Sequence, residues 1–329
     1  VDDDDDVFPP RLLRDDGRGR RRGHRRGRHG GGRRLGRTTF DGDGDDGVEV
    51  VETLVPDSVY VSRNALSHEE CRMWIDYAMG DGDGGRSGRE KSWEKVYHTA
   101  TRFIAHRECD RMQKYDRDMS HRLYRRIEDV VDDISSRLNV VDERTALSKL
   151  IRRNGHRGHR DAAVPGEYRP ITCNPNLRLY RYGVGQRFGR HVDESNDVDL
   201  PPTTSSSSSR SHRGRDERLG EVNDIARRPK YIVDRTCKMR TEMTVLFYLS
   251  SCRGGETRFH LPHHHRGGGE KSNGGGGTVA FEPEEGAVLL HVHGDGCLEH
   301  EAEPVLGGVK YVLRTDIVYG HCIKAERTP

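Results

Sequence analysis

The feature that most constrains this chain is a change of hydrophobic period at Asn176. From there to Tyr319 the pattern alternates residue by residue in short runs, with Gly, Pro and Asp between them. Eight segments read as strands: 177–182, 188–194, 242–250, 256–260, 278–281, 287–293, 297–301 and 310–319. No helical period interrupts them. Such a series predicts an all-β sandwich or closed barrel. Two insertions break it and are expected to be flexible surface loops. One covers 201–230 and holds the serine run Ser205 to Ser209; the other covers 262–277 and holds His263, His264 and His265.

The first half reads differently. Residues 1–47 are of low complexity: an acidic run from Asp2 to Asp6, an Arg/Gly/His stretch from Arg18 to Arg37, then a second acidic run. Nothing there can bury apolar surface against its ordering entropy, so a disordered tail is expected. An Arg/Gly tail can hold RNA through phosphate contacts and stacking, but this one lacks interleaved aromatics, so a solvated tail is the simpler reading.

Residues 48–170 are expected to form a helical lead-in packed on the barrel, and 171–325 the β domain with disordered insertions. Val59-Tyr60-Val61 reads as a strand, and Ser67-His68-Glu69-Glu70 as a helix N-cap with acidic first-turn residues. A second helix is expected over about 120–137, where Leu123, Ile127, Val130, Val131 and Ile134 recur at helical spacing. Residues 138–170 show no usable period.

Composition agrees with a globular part diluted by polar segments. Of 329 residues, 32% are hydrophobic, 33% are charged and 39 are glycine. The net charge of +2 conceals local segregation and does not identify a partner. No apolar run reaches membrane-span length. The chain starts at Val1 rather than Met, so a targeting segment could be missing and the compartment stays open. Seven cysteines without a CxxC pair argue against a zinc ribbon or a disulfide framework. Reduced thiols are expected, and an oxidising compartment with one or two bridges remains an alternative.

The chemistry-bearing feature is His191-Val192-Asp193 within one expected strand. Side chains two apart share a strand face, so His191 and Asp193 should point together. His300, on a later strand, would complete a set of two histidines and one carboxylate. That facial triad leaves coordination positions open, as in non-heme Fe(II) oxygenases. Among 18 histidines an HxD pair alone is weak. Its context strengthens it: after His300 a turn leads into a β-branched strand with Lys310 and Arg314 on one face. Cations deep in a barrel need anionic partners, and a dicarboxylate would supply one.

With these motifs in place, the chain resembles the prolyl 4-hydroxylase-like branch of the 2-oxoglutarate dioxygenases. The stretches that carry the resemblance are 177–185, 188–195, 244–250, 254–259, 283–290 and 300–319, with the lead-in 101–111 similar to the helical part preceding the barrel. It extends over roughly 55–320. It implies a double-stranded β-helix (jelly-roll) core, with Fe(II) held by His191, Asp193 and His300. It implies 2-oxoglutarate and O2 as co-substrates and ascorbate as reductant. Lys310, ten residues after His300, matches the basic residue that pairs with the distal carboxylate of 2-oxoglutarate; Arg314 is a rival. Tyr182 and Tyr248 match tyrosines that contact the co-substrate, with barrel packing as the other reading.

The implied reaction decarboxylates 2-oxoglutarate to succinate and CO2 and hydroxylates a substrate, a peptidyl proline of a protein or peptide first among candidates. No general base is assigned. His291 and His293 read as core or pocket-rim histidines, and His106 as structural or near the entrance. Gly183-Val184-Gly185 fails as a dinucleotide loop because no βαβ unit follows. Two other classes compete: a catalytically inactive β-helix that only binds, and an RNA-associated protein acting through its tail.

Overall fold

The computed structural model describes residues 51–79, 93–102, 104–140, 167–200, 219–221, 231–234, 239–262 and 277–324. The first half supplies β1 (Val51–Val55), β2 (Val59–Ser62), α1 (His68–Met79), β3 (Glu94–His98), β4 (Arg107–Tyr115) and α2 (Arg117–Val140). Then come β5 (Glu167–Cys173), β6 (Asn176–Tyr182), β7 (Phe188–His191), β8 (Asp197–Val198), β9 (Leu219–Glu221), β10 (Tyr231–Asp234) and β11 (Met239–Tyr248). The last third holds β12 (Arg253–Gly254), β13 (Thr257–His260), β14 (Thr278–Phe281), β15 (Val288–Val292), β16 (His300–Ala302), β17 (Val305–Gly307) and β18 (Lys310–Lys324).

Local chemistry explains the helices. Ser67 Oγ accepts the Glu70 N–H at 3.2 Å, and the Glu70 carboxylate accepts the Ser67 N–H at 2.8 Å. This reciprocal capping box starts α1 where the sequence places it. The carboxylate of Asp116 caps α2 by accepting the Met119 N–H at 2.8 Å. Cys71, Trp74 and Ala78 of α1, and Leu123, Ile127, Val130, Val131 and Ile134 of α2, are buried. They pack on one sheet face made by Leu177, Leu179, Met243, Val245, Phe247, Leu290, Leu313 and Ile317. Full burial of each large apolar side chain contributes about 1.5–3 kcal/mol, which fixes the helices to this layer.

The main ladder runs β1-β2-β15-β11-β18-β6-β4-β7-β16-β13-β14. Its pairings are antiparallel, and between β4 and β7 a single residue pair, Arg107 with Phe188, carries the chain from one layer to the other. The strands up to β4 form the larger layer, and β7, β16, β13 and β14 the smaller. Tyr248, Leu289 and Val312 of the first meet Phe259 and Phe281 of the second, closing one end with apolar packing. This two-layered antiparallel barrel is the expected jelly roll. Period two does the sorting: Val245, Phe247 and Leu313 face the helices, while Thr244, Leu246, Lys310, Val312 and Arg314 face inward.

Three expectations need correction. The stretch 101–111 was expected in a helical part, but Arg107–Tyr115 is a strand inside the larger layer. Its ion pairs with flanking strands, Arg111 with Glu94 and Asp110 with Arg181, hold a segment too charged to read as a strand. His191 and Asp193 do not share a strand, because β7 ends at His191. Finally, the 201–230 insertion contains a strand, Leu219–Glu221, paired with β10. The tail 1–47 and His263 to His265 lie outside the described residues. Among the described residues, Cys71, Cys109, Cys173, Cys252 and Cys297 are free, and no helix is long and apolar enough to cross a membrane.

Candidate metal centre

The open end of the barrel holds a cavity of about 480 Å³, its opening included, between the inner faces of the two layers. His191 and His300 enter from β7 and β16, which pair residue to residue at this point. Their rings stand 4.3 Å apart, centroid to centroid. Asp193 reaches the same spot from just beyond β7. Its neighbour Val192 is exposed while Asp193 is buried, so the alternation outlasts the ladder. One donor atom from each of His191, Asp193 and His300 lies within 4.8 Å of the other two.

The tautomers are set by the backbone. His191 Nδ1 lies 2.9 Å from the Gly189 carbonyl and His300 Nδ1 lies 2.9 Å from the Leu298 carbonyl. A carbonyl only accepts, so both Nδ1 atoms must carry hydrogen and both Nε2 atoms keep a free lone pair. This is the arrangement by which metal-ligating histidines are usually oriented. His191 Nε2 is 3.9 Å from Asp193 Oδ1, and His300 Nε2 is 3.7 Å from Asp193 Oδ2. Burial holds both imidazoles neutral, with the His191 pKa near 3 and that of His300 below its usual value. Burial alone would raise the Asp193 pKa, but the Arg314 guanidinium holds it well below the carboxylate range. Two neutral imidazoles and one ionised carboxylate are the protonation states a divalent cation needs.

Asp193 is fixed on both oxygens. Arg314 Nη2 donates to Oδ1 at 2.9 Å, and Thr244 Oγ1 donates to Oδ2 at 2.7 Å. His293 Nε2 lies 2.7 Å from the same hydroxyl, which places His293 behind the site as a positioning group. His291 differs. It lines the cavity with Nε2 3.5 Å from Asp193 Oδ2. A second set of donors, from His291, Cys297 and His300, also lies within 4.8 Å of one another.

Lys310 sits on the same inner face of β18 as Arg314 and is 3% exposed. Its Nζ donates to the Gly255 carbonyl at 2.7 Å. Gly255 has φ +72°, a backbone conformation that favours glycine and here aims that carbonyl at the ammonium. Among the described residues Lys310 forms no ion pair with a carboxylate. Burial lowers its pKa to about 8, and Cys252 and Glu256 only partly offset this. Arg314 behaves oppositely: burial works against its charge, but Asp193 and Asp316 raise its pKa.

Tyr182 lines the cavity, with its ring 5.7 Å from Lys310 Nζ. Tyr248 is fully buried behind the wall; its hydroxyl meets Thr257 Oγ1 at 2.7 Å, and Thr257 lines the cavity. Arg107 also lines it, its guanidinium 3.6 Å from the centre of the Phe188 ring. Sequence reading missed Arg107 and Thr244 as cavity residues. For Thr244 a signal existed, since it is a polar residue at an inward position of β11.

No protein-family model matches this chain, and neither does any curated protein. Solved structures do. One is the viral collagen prolyl hydroxylase from Paramecium Bursaria Chlorella virus-1 in a 2OG complex, at 14% identity, 80% of this chain, 96% of that one and a TM-score of 0.36. A prolyl-4-hydroxylase from Pseudomonas putida matches at 12% identity, 79% and 91% coverage and a TM-score of 0.38. A prolyl hydroxylase from Trichoplax adhaerens, in complex with a hypoxia inducible factor peptide fragment, matches at 12% identity, 80% and 84% coverage and a TM-score of 0.40. The likeness is one of outline at low identity.

Proposed function

We propose that this chain is an Fe(II)- and 2-oxoglutarate-dependent dioxygenase. The observation that carries the reading is the convergence of two imidazole Nε2 lone pairs beside one ionised carboxylate in a cavity that also holds a buried ammonium with no carboxylate partner among the described residues. His191, Asp193 and His300 would hold the metal and leave positions open for other ligands. Bound Fe(II), with 2-oxoglutarate and O2, supplies the oxidative chemistry that yields succinate, CO2 and a hydroxylated substrate.

The chain's own residues bind and orient. The Gly189 and Leu298 carbonyls hold the imidazoles in the ligating tautomer. Thr244 and Arg314 hold the Asp193 carboxylate in place. Lys310 offers its ammonium to the distal carboxylate of 2-oxoglutarate, which would supply the anionic partner that the buried charge lacks. Tyr182 borders that position, and Tyr248 acts through Thr257. Apolar packing by Phe259, Leu289 and Val312 closes the inner end and keeps water from it.

The sequence resemblance makes a peptidyl proline the first substrate to test, with ascorbate as reductant. Purified protein is given Fe(II), ascorbate and carboxyl-labelled 2-oxoglutarate, and labelled CO2 is measured with and without proline-rich peptides. Turnover that needs Fe(II) and rises with a peptide supports the reading. Equal CO2 release by wild type and His300→Ala would refute it.

A further inference from the structure

His291 is the next-to-last residue of β15 and is 2% exposed. Among the described residues, neither of its ring nitrogens has a hydrogen-bond partner. A buried imidazole with both nitrogens unsatisfied is costly, and ligating a cation through Nε2 removes that nitrogen's share of the cost. The ring faces the right neighbours: it lies 4.4 Å from the His300 ring, and Nε2 is 3.5 Å from Asp193 Oδ2.

Cys297 approaches the same point from the turn before β16. Its sulfur accepts the backbone N–H of Asp193 at 3.2 Å. Such N–H···S bonds support the sulfur of a metal-bound cysteine. Donor atoms of His291, Cys297 and His300 lie within 4.8 Å of one another. Two imidazoles and one thiolate match the nitrogen and sulfur preference of a zinc-class cation.

We propose that His291, Cys297 and His300 form a second metal site, selective for a thiophilic divalent cation of the zinc class. The site shares His300, so its occupation withdraws that histidine from His191 and Asp193. Binding releases the Cys297 thiol proton to solvent as the sulfur becomes a ligand, and no electron is transferred. The site therefore makes the protein sensitive to zinc. That consequence rests on the iron reading, whereas the binding itself does not.

Cobalt(II) and zinc(II) test the site on the full chain. Cobalt(II) should give a thiolate-to-metal charge-transfer band in the near ultraviolet. The band should be absent in Cys297→Ser, weakened in His291→Gln, retained in His191→Ala and removed by zinc. With each variant's inhibition scaled to its own zinc-free turnover, the zinc concentration that halves CO2 release should rise about tenfold or more in Cys297→Ser. In wild-type protein, zinc should protect Cys297 from alkylation, read by peptide mass spectrometry, so the proposal stays testable if a variant fails to fold. No cobalt band in wild type, a band that survives Cys297→Ser, or no zinc protection would overturn the site. A band without CO2 release would keep the site and remove the iron reading; CO2 release without a band would do the reverse.

Discussion

Arg314 donates to Asp193 Oδ1 at 2.9 Å, so its charge is already engaged within the candidate metal centre. Lys310, four residues earlier on the same face of β18, donates to a backbone carbonyl and forms no ion pair with a carboxylate among the described residues. The spacing from His300 and the inner-face position allowed either cation to receive an anion. In the folded chain the two cations have different partners, a carboxylate for Arg314 and a backbone carbonyl for Lys310.

Lys310→Ala should therefore raise the KM for 2-oxoglutarate by about 10- to 150-fold, the equivalent of the roughly 1.5–3 kcal/mol of one charged hydrogen bond. Arg314→Ala should leave that KM much closer to wild type. It should instead weaken Fe(II) binding and lower stability by about 3–5 kcal/mol, because it strands buried carboxylates. Steady-state kinetics and urea unfolding of both variants separate the roles. The reverse order of KM effects would give the anion to Arg314.

Lys310 also predicts a pH dependence. Its folded-state pKa of about 8 lies below the usual 10.5, so between those values the unfolded chain binds a proton that the folded chain does not. This group's penalty on the free protein is full below about pH 8 and is relieved as pH rises toward 10.5, so its contribution to stability increases with pH over that window. Binding of 2-oxoglutarate runs the other way, since it needs the ammonium. KM for 2-oxoglutarate should climb above about pH 8, by up to about tenfold per pH unit. Lys310→Arg should flatten the rise, because guanidinium stays charged. A rise of equal slope in Lys310→Arg would place the titrating group elsewhere.

Thr244→Val keeps the shape of the side chain but removes the hydroxyl between His293 and Asp193. The Fe(II) dissociation constant should rise about 10- to 100-fold, as expected when a ligand loses its orienting partner. Calorimetric titration under anaerobic conditions measures this. Unchanged affinity would mean that Arg314 alone positions Asp193.

The α1 cap is a stability element remote from the cavity. Ser67→Ala removes the hydroxyl that accepts the Glu70 N–H and should cost about 1 kcal/mol. The denaturation midpoint should fall while CO2 release at low temperature stays at the wild-type level. A matching loss of activity would tie α1 to the site.

Much of this arrangement was legible because inward and outward residues alternate. Most strand segments after Asn176, the helix at 120–137 and the Ser67 cap are set by short-range patterns and recur in the fold, while 188–194 and 297–301 are strands only over Phe188–His191 and from His300. Arg107–Tyr115 was not legible, since its strand character comes from pairing with β3 and β6 rather than from its own residues. The end of β7 at His191 was hidden for a related reason: it depends on how far the β16 pairing extends. Lys310 was singled out, with Arg314 as rival, by the family resemblance and its spacing from His300. His291 shows in sequence only as one of two alternating histidines, because burial and the lack of hydrogen-bond partners are properties of the folded cavity.

The central claim is that His191, Asp193 and His300 hold Fe(II) beside a 2-oxoglutarate site anchored by Lys310. Anaerobic titration of Fe(II)-loaded protein with 2-oxoglutarate tests it most directly, through the visible charge-transfer absorption of an Fe(II)–2-oxo acid chelate. The band should saturate at one equivalent in wild type, require more 2-oxoglutarate in Lys310→Ala, and be absent in His191→Ala and His300→Ala. No band in folded wild-type protein, or an unchanged band in His300→Ala, would contradict the account.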